Sequence, residues 1–302
     1  MKHKLIIAGG TGSVGEALTE YFRGNYESIV ILTRGMRPSE GNVRYVEWDA
    51  RTSGRWTEEL EAADLLVNLT GKSVNCRNTE KNQKEIVQSR VDATRALGCA
   101  VEACKAPPKL WVNASAAAIY GDTGDRIVDE DSPWAHDGTA EVSKQWEAAF
   151  AESDCPQTRK VILRIGLVLQ REKGVVDVLS KLARLGLAGS VGSGRQYVSW
   201  IHEADLVRLV EWVSDHEDIS GPINAVSPNP VTNAEFMKGF REGLGVKIGL
   251  PAPGWATRIG AFVIGTNAEL VLTGRRVGSK ILSGRFSFLY PQYATAIRHL
   301  LK

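Results

Sequence analysis

GGTGSVG, residues 9–15, is the stretch on which the reading of the chain turns. It follows a short apolar run, LIIA at 5–8, and opens an amphipathic pattern over 14–22. Gly9, Gly12 and Gly15 stand three apart, and Gly10, Gly12 and Gly15 also satisfy GxGxxG. At a strand–helix junction such glycines permit a tight turn and close backbone approach to a pyrophosphate. They also let the helix pack against its strand, while its free amides present positive potential to the phosphates. With Thr11, Ser13 and Val14, these residues form a dinucleotide-binding turn.

The second apolar run, SIVILT at 28–33, is followed by Arg34, with Arg37 close by. A site selective for NAD places an acid here, about 20 residues past the glycines, to accept from the ribose hydroxyls. A guanidinium instead suits the additional 2′-phosphate, so Arg34 predicts NADP(H). Further apolar runs lie at 43–48, 64–70, 109–116 and 160–169, and helical patterns at 80–105, 141–152 and 175–186. Short, almost wholly apolar strands alternating with helices predict an α/β fold built on a doubly wound parallel sheet. Past residue 190 the texture changes: GSVGSGRQYVSWIH is glycine-rich, then aromatic, and suits a segment lining a cleft. A helix (203–216), a strand in PINAVS and a helix in TNAEFMKGFREGL follow. The expected division is 1–245 as the cofactor-binding body with cleft segments, and 246–302 as a small, mostly helical C-terminal domain.

Composition narrows the function. A net charge of +2 over 302 residues gives none of the basic excess expected for phosphate neutralisation, which argues against nucleic acid. No apolar run is long enough to span a membrane, and the N-terminal run is too short for a signal peptide. Cys76, Cys99, Cys104 and Cys155 form no CxxC and no metal-ligand spacing, which fits a reducing cytoplasm and no metal site. An oligomer is left open.

Several segments in order, WDA at 48–50, NLTG at 68–71, RVDATRAL at 90–97, ASAAAIYG at 114–121, LRIGLVL at 163–169 and SWIHEADL at 199–206, give the chain a resemblance. It resembles the atypical, extended short-chain dehydrogenases/reductases of Rossmann type, in particular the nucleoside-diphosphate-sugar-epimerase-like family with a distinctive C-terminal domain. The resemblance implies that Asp49 meets the adenine, that Leu69, Thr70 and Gly71 run beside the cofactor, and that Arg90, Ser115 and Lys144 also contact it. It also implies that the IYGD and SWIH segments line a substrate cleft and that Arg164 lies just beyond the sixth strand.

That resemblance also implies a catalytic set of Asn, Ser or Thr, Tyr and Lys, in which the phenol handles the substrate proton during hydride transfer. Here Arg90 occupies the Asn position, Ala116 the Ser position beside Ser115, and Ala140 the Tyr position. Lys144 alone is kept, and no tyrosine in the chain has a lysine four residues later. Three readings follow: Tyr120 replaces the missing acid; Ser115 and Lys144 polarise a carbonyl; or NADP(H) is held without turnover. The expected function is an NADP(H)-binding oxidoreductase or epimerase-like enzyme acting on a small, nucleotide-sugar-like carbonyl or hydroxyl substrate. The alternative is a catalytically silent redox sensor. Arg90 and Arg195 suit an anionic substrate, or else pair with Glu130, Asp131 or Asp205. His202 reads as a turn support before a catalytic base. Asp125, Asp129, Glu130 and Asp131 read as a solvated loop, and Trp134, Trp146 and Trp200 as packing or cleft wall.

Overall fold

The computed structural model describes residues 1–35, 37–136 and 138–302. Seven strands form one parallel sheet: β1 (Lys2–Ala8), β2 (Tyr26–Thr33), β3 (Val43–Glu47), β4 (Leu65–Asn68), β5 (Leu110–Ala116), β6 (Arg159–Ile165) and β7 (Gly221–Ala225). Their spatial order is 3-2-1-4-5-6-7. This is the doubly wound order, with its reversal between β1 and β4. Among the helices, α1 (Ser13–Phe22), α2 (Glu80–Glu102), α3 (Gly138–Ala151), α4 (Gly174–Arg184), α5 (Glu203–Asp215) and α6 (Asn233–Gly243) belong to the body. Three more, α7 (Gly254–Ile264), α8 (Glu269–Leu272) and α9 (Tyr293–Leu301), lie near the C-terminus.

The period of two along each strand explains why the runs are apolar throughout. Leu5 and Ile7, Ile29 and Ile31, and Leu65 and Val67 enter one core with Leu18 of α1 and Leu206 and Val213 of α5. Their neighbours Ile6, Val30 and Leu66 enter another, with Leu97 of α2 and Phe150 of α3. Both faces are covered, so no strand position is left for a polar alternation.

The run expected as one strand over 160–169 breaks at Gly166. A β-carbon there would lie 2.7 Å from the Ser199 carbonyl oxygen. The chain passes through this gap and Leu167–Leu169 pairs instead with Trp200–His202. Residues 246–302 interleave with the body. Leu282 and Phe286 join the first core, Tyr293, Ile297 and Leu300 pack with Trp200 and Phe240, and Arg276–Val277 pairs with Ile127–Val128. Among the described residues no helix is long and apolar enough to cross a membrane.

Candidate active site

The glycine turn between β1 and α1 is built by close approaches. Gly9 has φ +73, and a β-carbon on it would stand 3.0 Å from the Thr70 backbone at the end of β4. At Gly15 a β-carbon would lie 2.4 Å from Gly10 Cα, so the helix can enter the turn only without a side chain. Gly12 differs: its β-carbon would meet nothing nearer than the Gly9 carbonyl oxygen at 3.8 Å. It is also the N-cap of α1, with no side chain capping the first turn. The first-turn amides of Ser13, Val14 and Gly15 and the open space over Gly12, flanked by Thr11, thus form a cradle for an anion. Beside it the Thr70 hydroxyl is buried without a hydrogen-bond partner among the described residues. An uncapped helix end, an unfilled glycine and an orphaned hydroxyl at one sheet edge are what a bound dinucleotide would complete.

Arg34 follows β2, exposed and without an ion pair among the described residues, while Arg37 lies over the Tyr45 ring at 5.9 Å. Asp49 stands just past β3. Its carboxylate accepts from the backbone amides of Arg51 and Thr52 and from the Thr52 hydroxyl, each within 2.7–2.8 Å. Those bonds pull its pKa down to about 2 and fix the loop that closes this flank.

At the ends of β4 and β5, Asn68 and Asn113 are register partners and fully buried. Asn68 donates to Asn113 at 2.7 Å and to Thr94 of α2 at 3.1 Å, and accepts from the Thr70 amide at 3.0 Å. Trp146 of α3 donates to the same Thr94 hydroxyl at 3.0 Å. This lattice sets Leu69, Thr70 and Gly71 against the glycine turn. Arg90 does not pair with Glu130, Asp131 or Asp205. Its Nη1 donates to the Lys72 and Ile86 carbonyls at 2.9 Å, and its guanidinium covers Gly71 and lies 5.0 Å from the Trp146 ring. Burial lowers its pKa to about 10. Arg90 therefore clamps the loop after β4.

Ser115, Arg164 and Asn224 are register partners across β5, β6 and β7. Arg164 lies inside β6, not beyond it, and is 2% exposed. It donates to Glu147 of α3 through Nε at 3.0 Å and Nη2 at 2.9 Å, and through Nη1 to the Tyr120 hydroxyl at 2.8 Å. Burial opposes the Arg164 charge, but the two bonds to Glu147 outweigh it and raise the pKa. The Ser115 hydroxyl donates to Glu147 at 2.7 Å, and the Tyr120 hydroxyl to Asn224 at 2.9 Å. Burial, by contrast, raises the Tyr120 pKa. Both hydroxyls therefore already have partners inside a buried network. Ser115 and Ala116 necessarily point to opposite faces of β5. Ala116 is half-buried, so the strand end carries a methyl group where the resemblance implies a hydroxyl.

Ala140 is fully buried on α3, and Lys144, one turn later, is half-buried with no ion-pair partner among the described residues. Glu130 is not solvated. It is 9% exposed and accepts from Ser279 at 2.5 Å and from the amides of Asn224 and Lys280 at 2.9 Å, tying residues 278–280 to β7. Asp131 pairs with Lys280. Asp205 accepts from the Leu289 and Tyr290 amides. His202 caps α5, its Nδ1 accepting from Ala204 at 3.0 Å. Arg195 is exposed. Trp200 and Trp146 are buried, whereas Trp134 is exposed over Arg164. A groove of about 840 Å³ runs along the N-terminal halves of α2 and α3 and is flanked by Asn267, Glu269 and Thr273. Among the described residues no group of His, Cys, Asp or Glu could hold a metal ion.

Sequence reasoning did not single out Glu147 or Asn224. A signal for Glu147 was present: an acid on the apolar stripe of α3, with Ala140, Ser143 and Phe150, matched by Arg164 inside the apolar run VILRIGLVL.

An all-parallel sheet in this order, with a glycine turn at the first strand–helix junction and a C-terminal helical segment, defines an extended short-chain dehydrogenase-type protein. The chain belongs to the NAD dependent epimerase/dehydratase family, which it matches over residues 5–225. It is 31% identical to the mouse epimerase family protein SDR39U1, over 99% of each chain. The crystal structure of human epimerase family protein SDR39U1 (isoform 2) with NADPH superposes with a TM-score of 0.87 at 31% identity, covering 99% of both chains. The nucleoside-diphosphate sugar epimerase from Corynebacterium glutamicum gives a TM-score of 0.79 at 31% identity. This chain is covered completely there and spans 58% of that longer one.

Proposed function

We propose that this protein is an NADP(H)-dependent oxidoreductase or epimerase-like enzyme acting on a small carbonyl or hydroxyl substrate of nucleotide-sugar type. The observation that carries the reading is the turn at residues 9–15. Its uncapped amides and the open space over Gly12 suit a pyrophosphate, with Arg34, which has no ion pair among the described residues, following the next strand. The human relative crystallised with NADPH supports it.

In this reading Gly9, Thr11, Gly12, Ser13, Val14 and Gly15 receive the pyrophosphate, and Arg34 binds the 2′-phosphate. Asp49 fixes the loop along the adenine, and Leu69, Thr70 and Gly71 lie beside the cofactor under the Arg90 clamp. When bound, NADP(H) would give hydride to a carbonyl or accept it from a carbinol. Lys144 holds the ribose and polarises the substrate oxygen. Ser115 and Tyr120, whose hydroxyls already have partners, act as positioning residues that keep the cleft wall and α3 in register. The proton is exchanged with water or a substrate hydroxyl near Lys144. We also propose residues 246–302 as a C-terminal cap over this cleft, and the free thiols as marks of a reducing, cytoplasmic setting.

A silent NADP(H)-binding protein is the second reading. It is favoured by the buried methyl of Ala140 where a phenol would stand. Mixing the protein with NADP⁺ and a panel of UDP- and dTDP-hexoses, and with NADPH and their keto derivatives, separates the two. A change in reduced-nicotinamide absorbance with any sugar nucleotide, or an epimerised sugar seen by NMR with the cofactor returned unchanged, supports the enzyme. Cofactor binding with neither result across the whole panel overturns it in favour of the silent protein.

A further inference from the structure

Gln170 closes the apolar run VILRIGLVL, just past the pairing of Leu167–Leu169 with Trp200–His202. A glutamine at a strand end ordinarily faces water, yet this one is 4% exposed. Its Nε2 donates to the Ser13 carbonyl at 3.0 Å and to Glu203 Oε2 at 3.2 Å. Both partners only accept, so the amide nitrogen and not its oxygen must stand between them. Glu203 opens α5, and its other oxygen accepts from the Arg171 amide at 3.2 Å.

The turn that carries Gln170 is itself pinned. Gln170 and Lys173 bridge antiparallel across it, and Glu172 between them takes φ +54. A non-glycine residue keeps that left-handed conformation only where its surroundings fix it. Lys173 pairs with Glu16 at 2.6 Å, on the same first turn of α1 as Ser13. Arg171 donates to the His299 carbonyl of α9 at 2.6 Å. The start of α1, the start of α5 and the end of α9 thus meet at residues 170–173.

The Ser13 carbonyl and the Val14 amide belong to one planar trans peptide unit and point in opposite directions. A donor held on the carbonyl therefore fixes the direction of the Val14 N–H, one of the free first-turn amides of the anion cradle. It also polarises the unit and strengthens that amide as a donor. We infer, on the reading that a dinucleotide occupies this turn, that Gln170 is a positioning residue for its pyrophosphate, acting through the Ser13–Val14 peptide unit. The pyrophosphate is common to NADPH and NADH. Gln170 therefore sets affinity for both, and the choice between them falls to Arg34.

Calorimetric titration of the full chain with NADPH and with NADH tests it. Gln170→Met and Gln170→Leu are of similar size and remove the donor, and circular dichroism checks that they fold. Each should weaken both cofactors by the same factor, at least about fivefold, the worth of roughly one hydrogen bond. The ratio of the two affinities should stay as in the wild type. Glu203→Ala also breaks the link to α5 but leaves Gln170 its bond to Ser13, and should bind NADPH no more than about twofold more weakly than the wild type. A purely structural Gln170 would make affinity follow melting temperature in all three variants. Undiminished affinity in the Gln170 variants, a changed ratio between the cofactors, or an equal loss in Glu203→Ala would overturn the assignment. Gly12→Val separates this from the cofactor reading itself. Undiminished NADPH binding by Gly12→Val would take the cofactor off the turn. Binding lost in Gly12→Val but kept in Gln170→Met would leave the cofactor in place and Gln170 without this role.

Discussion

Replacing Glu147 by glutamine tests the network beneath the cleft. Three donors converge on this carboxylate: Ser115 Oγ at 2.7 Å, Arg164 Nε at 3.0 Å and Arg164 Nη2 at 2.9 Å. The substituted side chain would turn an amide donor toward two guanidinium donors and leave Arg164 charged, buried and without its counter-ion. Breaking a buried pair from one side costs about 3–5 kcal/mol. For a chain of this size about 2 °C is lost per kcal/mol, so the melting temperature should fall by roughly 6–10 °C. The double variant Glu147→Leu with Arg164→Met removes both charges and should cost less than the sum of the two single variants. The coupling should exceed about 2 kcal/mol in denaturant titrations. Two outcomes would refute the reasoning: Glu147→Gln within about 1 kcal/mol of wild type, or strict additivity in the double variant. Either would mean that water reaches Arg164 or that α3 moves to satisfy it.

The glycine turn predicts three different results from one kind of substitution. Gly12→Val, placed in open space but at the N-cap of α1, should lower the melting temperature by no more than about 2 °C and weaken NADPH binding at least about tenfold; Gly9→Ala and Gly15→Ala should destabilise the fold itself by more, read by thermal melts. Arg34→Asp should shrink or reverse the preference for NADPH over NADH, measured as the difference in thermal shift between the two. His202 gives a pH dependence. Burial, with His299 and Arg171 nearby, lowers its pKa to about 4 from 6.5. The unfolded chain therefore takes up a proton first. Stability is complete above pH 6.5 and falls, by up to about 3 kcal/mol, as the pH drops toward 4. His202→Asn keeps a good N-cap for α5 and should flatten that slope between the two pH values in urea titrations.

The frame was legible because its signals are local. Alternating apolar runs and a glycine turn at the first junction specify the sheet, its two covered faces and the cradle, without any long-range contact being known. What escaped was the pairing of residues far apart in sequence. Glu147 and Arg164 meet only because α3 crosses the register of β5 and β6, and Glu130 is buried only because Ser279 and Lys280 return to it. The acid-rich DRIVDEDSP thus read as solvated. Similarly, Ser115 and Tyr120 were singled out by sequence position, one residue from the motif and at the end of β5. The strand's period of two sends the Ser115 side chain to the opposite face from Ala116, and Arg164 and Asn224 take the Tyr120 hydroxyl. Lys144, by contrast, stands half-buried on α3 without an ion pair among the described residues.

The most direct test of the central claim is calorimetric titration of the wild type and of Gly12→Val with NADPH and with NADH. The account predicts that the wild type binds NADPH at least about tenfold tighter than NADH, which is about 1.4 kcal/mol, and that Gly12→Val loses this binding while melting within about 2 °C of the wild type. Equal affinities for the two cofactors would contradict the assignment of Arg34. Undiminished NADPH binding by Gly12→Val would contradict the placement of the cofactor on the turn at residues 9–15.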